Sequence, residues 1–166
     1  MCFTLYIASN HKAPRLAWDE KDRHLSIADL HANAEAVRLH FTLSEVAYVG
    51  SDINCGCGFR SVTFQDGWPG EWLIEQGEVD PPDNHMQNHQ ELYNLVASLF
   101  VSDLSVELYG CWNGDERDQT EIEEQIPPSR LLETNFWFRE RCLYRITNKT
   151  QSATDATHSN QLRRAT

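Results

Sequence analysis

Positive charge is scarce in this chain: 14 Lys+Arg stand against 25 Asp+Glu over 166 residues, for a formal net charge of −11. A surface so short of cations repels a phosphate backbone, so nucleic acid is not an expected partner. Long apolar runs are missing too. No stretch approaches the roughly 18 residues of a membrane span, so no membrane partner is expected either. The opening Met1-Cys2-Phe3-Thr4 lacks a basic n-region and a cleavage site, which predicts a cytoplasmic rather than a secreted protein. Neither Gly-x-x-x-x-Gly-Lys nor Gly-x-Gly-x-x-Gly occurs, so no phosphate loop is expected. No Gly-x-Ser-x-Gly elbow marks a nucleophile. Nothing in the sequence names a reaction.

What is present is globular in kind, with 40% apolar and 23% charged residues. The composition changes at Asn148. The body, 1–147, reads as one globular domain. The remainder, 148–166, is Thr, Ser, Ala, Asn and Gln with Leu162 as its only large aliphatic. Such a segment buries too little apolar surface to offset ordering, and it is expected to be a flexible tail.

Alternation predicts a strand from Cys2 to Ala8, with Phe3, Leu5 and Ile7 on one side. Leu25 and Ile27 suggest a short second strand. Leu30, Ala34, Val37 and Phe41 fall on one face of a helix of about three turns. Glu45 to Val49 reads as a strand, Ser51 to Gly58 as a loop, and Phe59 to Phe64 as another strand. An acidic, Pro-containing linker covers Glu78 to Asn84. The clearest helix runs from about Asn84 to Val101, capped by Asp83 or Asn84. Its apolar half carries Met86, Leu92, Tyr93, Leu95, Val96, Leu99 and Phe100. Ser105 to Tyr109 is a strand ending in a turn at Gly110–Gly114. Asp115 to Glu124 is dense in acids and reads as a solvated face or loop. Pro127-Pro128-Ser129 opens a short helix at Arg130–Glu133. Phe136–Phe138 and Cys142–Ile146 form a hairpin or one bent strand. The interleaving predicts an α+β two-layer sandwich: a mixed five- to six-stranded sheet against two main helices.

The five cysteines are Cys2, Cys55, Cys57, Cys111 and Cys142. An odd number without a signal peptide argues against a disulfide framework. Cys2 and Cys142 sit in strand alternation and read as small buried hydrophobes. Cys111 reads the same way, with a thiol-ligand role as its alternative. Cys55-Gly56-Cys57-Gly58 differs, because it puts two thiols into a glycine-rich loop where the backbone can fold around a small centre. Two thiolates with two further N or S ligands make a tetrahedral zinc site. His85 and His89, four apart on the second helix, are the candidates to complete it. They straddle the centre of the apolar stripe, where buried rings need partners. Met86 stands where a metalloprotease helix carries its Glu, so the pair fits a structural metal better than a hydrolase. The bland alternative has the stripe emerge into solvent at the helix N-terminus and leaves both rings partly exposed and hydrogen-bonded to loop carbonyls. Cys55 and Cys57 also admit a redox-pair reading, with Arg60 as the cation that lowers a thiol pKa.

Three functions follow as expectations. The leading one is a non-catalytic interaction module whose acids, centred on Asp115–Glu124, meet a basic protein partner. The chain is similar to toxin-neutralising immunity proteins in composition only. The second is a small zinc-binding protein using Cys55, Cys57, His85 and His89. The third is an enzyme with a dispersed site or a thiol redox pair. Five tryptophans, among them Trp68, Trp72 and Trp112, are read mainly as core residues, with a partner-anchoring role as the alternative.

Overall fold

The structure is a computed structural model and describes residues 2–62, 81–100 and 104–147. Trp68, Trp72, residues 78–80, residues 63–64 of the strand expected over 59–64, Val101 at the end of the expected helix, and the tail from 148 lie outside the described residues.

The strands are β1 (Phe3–Ser9), β2 (Ser26–Ala28), β3 (Glu45–Gly50), β4 (Ser61–Val62), β5 (Ser105–Trp112), β6 (Ile122–Ile126), β7 (Phe138–Arg139) and β8 (Cys142–Thr147). Among the described residues one α-helix, α1, spans His85–Leu99, and a nine-residue 3₁₀ helix spans Ala32–His40. Six strands form one mixed sheet in the order β2-β3-β1-β5-β8-β6, and β4 pairs with β7 separately. Neighbours in the large sheet run antiparallel, except that β6 lies parallel to β8. The fold is α+β, with the two helices the sequence predicts.

Strand alternation divides the core. Phe3, Leu5 and Ile7 share one cluster with Val106, Leu108, Tyr144 and Ile146, and α1 seals it with Leu92, Leu95, Val96 and Leu99. Tyr6, Ala8, Val46, Tyr109 and Leu143 occupy the opposite face, where Ala34 and Val37 cover them. These last two are three residues apart and lie on one side of a helix with three residues per turn. The stripe expected for an α-helix is therefore built by a 3₁₀ helix, with Leu30 and Phe41 packed beside it.

Two expectations are corrected. The turn predicted at Gly110 is continuous strand: β5 runs through Gly110 and Cys111 to Trp112. Gly110 is there because the Phe3 ring lies over it, so close that a Cβ would stand 2.4 Å from Phe3 Cζ. The acid-rich stretch also contains a strand, β6, at the sheet edge. Its isoleucines turn inward and its charges find arginines. Glu124 pairs with Arg139, Glu121 with Arg141 at 2.7 Å, Glu123 with Arg145 at 3.2 Å, and Asp118 with Arg141 at 3.7 Å.

Glu107 anchors the second face. It is 2% exposed and its carboxylate accepts from the N–H groups of Thr42 and Leu43 at 2.8 and 3.3 Å, and from the Thr42 hydroxyl at 2.6 Å. Arg145 Nε stands 3.4 Å away. Removing the carboxylate strands a partly buried cation and two loop N–H groups. Glu107→Ala is expected to cost about 3 kcal/mol of unfolding free energy in a urea titration.

Candidate metal centre

At its start, β1 pairs with β5 from Phe3 onward but with β3 only from Leu5 onward. The backbone edge of Phe3 that faces β3 is thus left to another partner. The loop after β3 takes that place. Residues Gly56–Gly58 form one 3₁₀ turn against the strand. The Phe3 N–H donates to Cys57 Sγ at 3.2 Å, and the Cys55 and Cys57 thiols reach the Phe3 carbonyl at 3.7 and 3.9 Å. Gly56 permits this approach, since a Cβ there would stand 2.6 Å from the Phe3 carbonyl oxygen. That oxygen is backbone and cannot swing aside.

Asn88 of α1, fully buried, holds both ends of the loop. Its Oδ1 accepts the Asp52 N–H at 3.0 Å, and its Nδ2 donates to Asp52 Oδ1 at 2.8 Å and to the Gly58 carbonyl at 2.9 Å. Inside the loop, the Ser51 hydroxyl donates to the Cys55 carbonyl at 2.7 Å. Asn54 takes a left-handed φ of 55°, which Asn tolerates better than most residues. Asn84, at the start of α1, is left-handed too. It caps no helix N–H with its side chain and donates to Asp52 Oδ2 at 2.9 Å instead. Asn88→Leu is expected to leave the Asp52 N–H and the Gly58 carbonyl unpaired, lowering stability by about 2 kcal/mol and loosening the loop, read as faster amide exchange over 51–58.

This scaffold brings three sulfurs together. The Sγ atoms of Cys2, Cys55 and Cys57 all lie within 4.8 Å of one another. Cys55 and Cys57 are half-buried and Cys2 is exposed. The reading of Cys2 as a buried hydrophobe is therefore corrected: the residue precedes β1 and sits at its open end. Cys111 and Cys142 are buried as expected, Cys111 within β5 rather than in the expected turn, and burial pushes both thiols up to about 12.

The histidines stand elsewhere in the chemistry. Neither His85 nor His89 belongs to the sulfur group. His89 is fully buried, with Nδ1–H donating to the Leu131 carbonyl at 2.9 Å and Nε2 accepting the Arg60 N–H at 3.2 Å. Nδ1 carries the ring proton and the one lone pair, on Nε2, is taken by the Arg60 N–H, so none is left for a metal. Phe138 stacks on the ring at 5.6 Å between centroids, and Phe59 and Phe136 meet it edge-on. His85 Nδ1 is 2.8 Å from the Pro82 carbonyl oxygen. Bonds to carbonyls, as in the bland alternative, are made by both rings, but only His85 is partly exposed; His89 is fully buried.

Electrostatics separate thiol chemistries. Burial, the largest influence, pushes the Cys55 thiol up to about 12, the neighbouring sulfurs add to this, and the Cys57 N–H opposes it. A redox or nucleophilic thiol needs the reverse. Arg60, the expected helper cation, is itself buried and donates through Nη1 to the Thr134 carbonyl. Two sulfurs nevertheless accept backbone N–H groups, Cys57 from Phe3 and Cys55 from Cys57 at 3.4 Å. Such bonds favour thiolate once a cation replaces the protons.

Beside the sulfurs lies a pocket of about 770 Å³ on the second face of the sheet, lined by Cys2, Cys55, Tyr6, Tyr48, His31 and Glu116 among others. Glu116, 5% exposed, accepts from the Tyr6 hydroxyl at 3.1 Å and from the Gly114 N–H at 3.1 and 3.2 Å. Cys2 was legible only as part of a strand, and Glu116 only as one acid among many. The signal that unites them is the strand pairing: the Asn113 N–H donates to the Cys2 carbonyl at 2.9 Å, which ties the Glu116 turn to the first cysteine. Compared with protein families, curated proteins and solved structures, the chain matches none.

Proposed function

We propose that this chain binds a thiophilic metal ion, zinc in the first instance, through Cys2, Cys55 and Cys57. The observation that carries the reading is the convergence of three Sγ atoms within 4.8 Å, two of them already receiving backbone N–H groups. Thiolate sets select zinc or copper(I) over hard cations, and tetrahedral zinc–sulfur bonds near 2.3 Å put neighbouring sulfurs about 3.8 Å apart, within the 4.8 Å limit of the cluster. His85 and His89 are not part of this set. The alternative reading, an acidic module for a basic partner, draws less support from the 115–124 stretch. Asp118, Glu121, Glu123 and Glu124 already face arginines of the same chain.

Zinc titration of reduced protein against a chromophoric chelator tests the reading. One equivalent per chain is expected. Cys2→Ser removes a ligand from an exposed position outside the strands, so it should weaken binding at least 100-fold while stability moves by about 0.5 kcal/mol or less. Equal zinc affinity of wild type and Cys2→Ser would overturn the site.

A further inference from the structure

Three protein sulfurs leave a tetrahedral ion one position short. Among the described residues no fourth Cys, His, Asp or Glu joins them. The direction of the open position follows from the surroundings. Cys57 packs against the core cluster beneath the sheet, whereas Cys2 and Cys55 line the pocket on the other face. An ion seated on the three sulfurs therefore has the core behind it and the pocket in front. The volume, about 770 Å³, suits a small molecule.

The lining restricts what enters. It contains Asp29, Glu116 and His31, and neither Lys nor Arg. Asp29 is already bonded by Arg15 at 2.6 Å. Glu116 is held rigid by Tyr6 and Gly114, but a carboxylate offers about four lone-pair sites and these donors use only part of them. An anionic ligand meets no Lys or Arg in the lining, and the cations nearest it, Arg15 and Lys12, are paired with Asp29, whereas a cationic group meets a fixed, buried carboxylate at Glu116. At the other end, a metal held by three thiolates is soft and favours a soft donor.

We infer that the pocket admits a small aminothiol, whose sulfur takes the fourth position on the metal and whose ammonium pairs with Glu116. This rests on the metal reading of Cys2, Cys55 and Cys57. No bond of the ligand other than its S–H changes: the thiol proton leaves to solvent as sulfur binds the metal, and the ammonium keeps its own.

The test uses the full chain loaded with Co²⁺, whose sulfur-to-metal absorption counts thiolates. Cysteamine is titrated into it, with 2-mercaptoethanol as the neutral probe of similar length. The expected result is a saturable rise in charge-transfer absorbance with the ion retained, and cysteamine favoured over 2-mercaptoethanol. The thiol of cysteamine ionises more readily, so the preference is read against Glu116→Gln, where it should fall about tenfold, a typical value for a desolvated charge-assisted pair. A urea midpoint and far-UV circular dichroism matching the wild type show that this variant is folded. Failure of wild type to take up Co²⁺ overturns the metal reading itself. Uptake followed by an unchanged spectrum on adding cysteamine, loss of the ion to cysteamine, or an equal preference in Glu116→Gln overturns the aminothiol site alone.

Discussion

Zinc affinity should climb at least tenfold for every pH unit between about 6 and 9. Sulfur binds zinc as thiolate, so each thiol that enters protonated must release its proton to the solvent. Cys55 alone guarantees the minimum. Burial between the loop and β1 pushes its thiol up to about 12, so it carries its proton across the whole range and surrenders it only to the metal. Each further protonated sulfur multiplies the effect by another factor approaching ten per unit. The measurement is chelator competition at fixed ionic strength, repeated at each pH and corrected for the protonation of the chelator. An affinity that stays flat with pH would remove Cys55 from the ligand set. The same linkage reaches stability. At free zinc a thousandfold above Kd the folded state gains about 4 kcal/mol. For a chain of this length that is a rise in Tm of about 8–16 °C, abolished by chelator and cut to about 3–6 °C or less in Cys2→Ser, whose hundredfold weaker site is at most about tenfold above its own Kd at the same free zinc.

Much of the scaffold was legible because periodicity reports burial. Phe3, Leu5 and Ile7 alternate with Thr4 and Tyr6, and the structure places the two sets on opposite faces of the sheet. The helix of Leu92, Leu95, Val96 and Leu99 was equally plain. What escaped did so for physical reasons. β6 carries Glu123 and Glu124, whose exposure and ion pairs hide a strand from any hydropathy pattern. Gly110 reads as a turn in sequence, but the overlying Phe3 ring, 107 positions away, makes it an unbroken strand residue. The site shows the same limit. The Cys55–Cys57 loop was visible as chemistry, because glycines and thiols are local signals. Its third member was not. Cys2 looks like the first residue of a strand, and only the missing β3 partner at Phe3 brings the loop beside it. The histidines illustrate the converse. Helical spacing put two rings on a buried stripe and chemistry offered a metal, but the chain supplied backbone partners, from 60 and 131 for His89 and from 82 for His85.

His89 should make the fold acid-labile well above the carboxylate range. Its ring lies among Phe59, Phe136 and Phe138, and burial, with the nearby Arg60 charge, pushes its pKa from 6.5 down to about 3. The folded state therefore holds the ring neutral while the unfolded chain protonates it near 6.5. Between those values the unfolded state binds the extra proton, so stability is complete above about 6.5 and is lost as pH falls toward 3. The loss approaches 1.4 kcal/mol per pH unit, and about 2.7 kcal/mol is gone by pH 4.5. Out of a typical total of about 5–15 kcal/mol this is a large share from one side chain. Urea titrations from pH 7 to 4.5 should show it, and the slope should shrink by about 1.4 kcal/mol per unit in His89→Gln. That variant can lose a ring hydrogen bond and be weaker at every pH, but its pH slope is the informative quantity. NMR of the wild type decides independently: the His89 ring should remain neutral, with its proton on Nδ1, at pH 5. A ring that titrates above pH 5 would mean that the Leu131 and Arg60 bonds do not hold it in the core. The link that pins α1 to the 128–132 turn, and through Asn88 steadies the cysteine loop, would then have to be sought elsewhere.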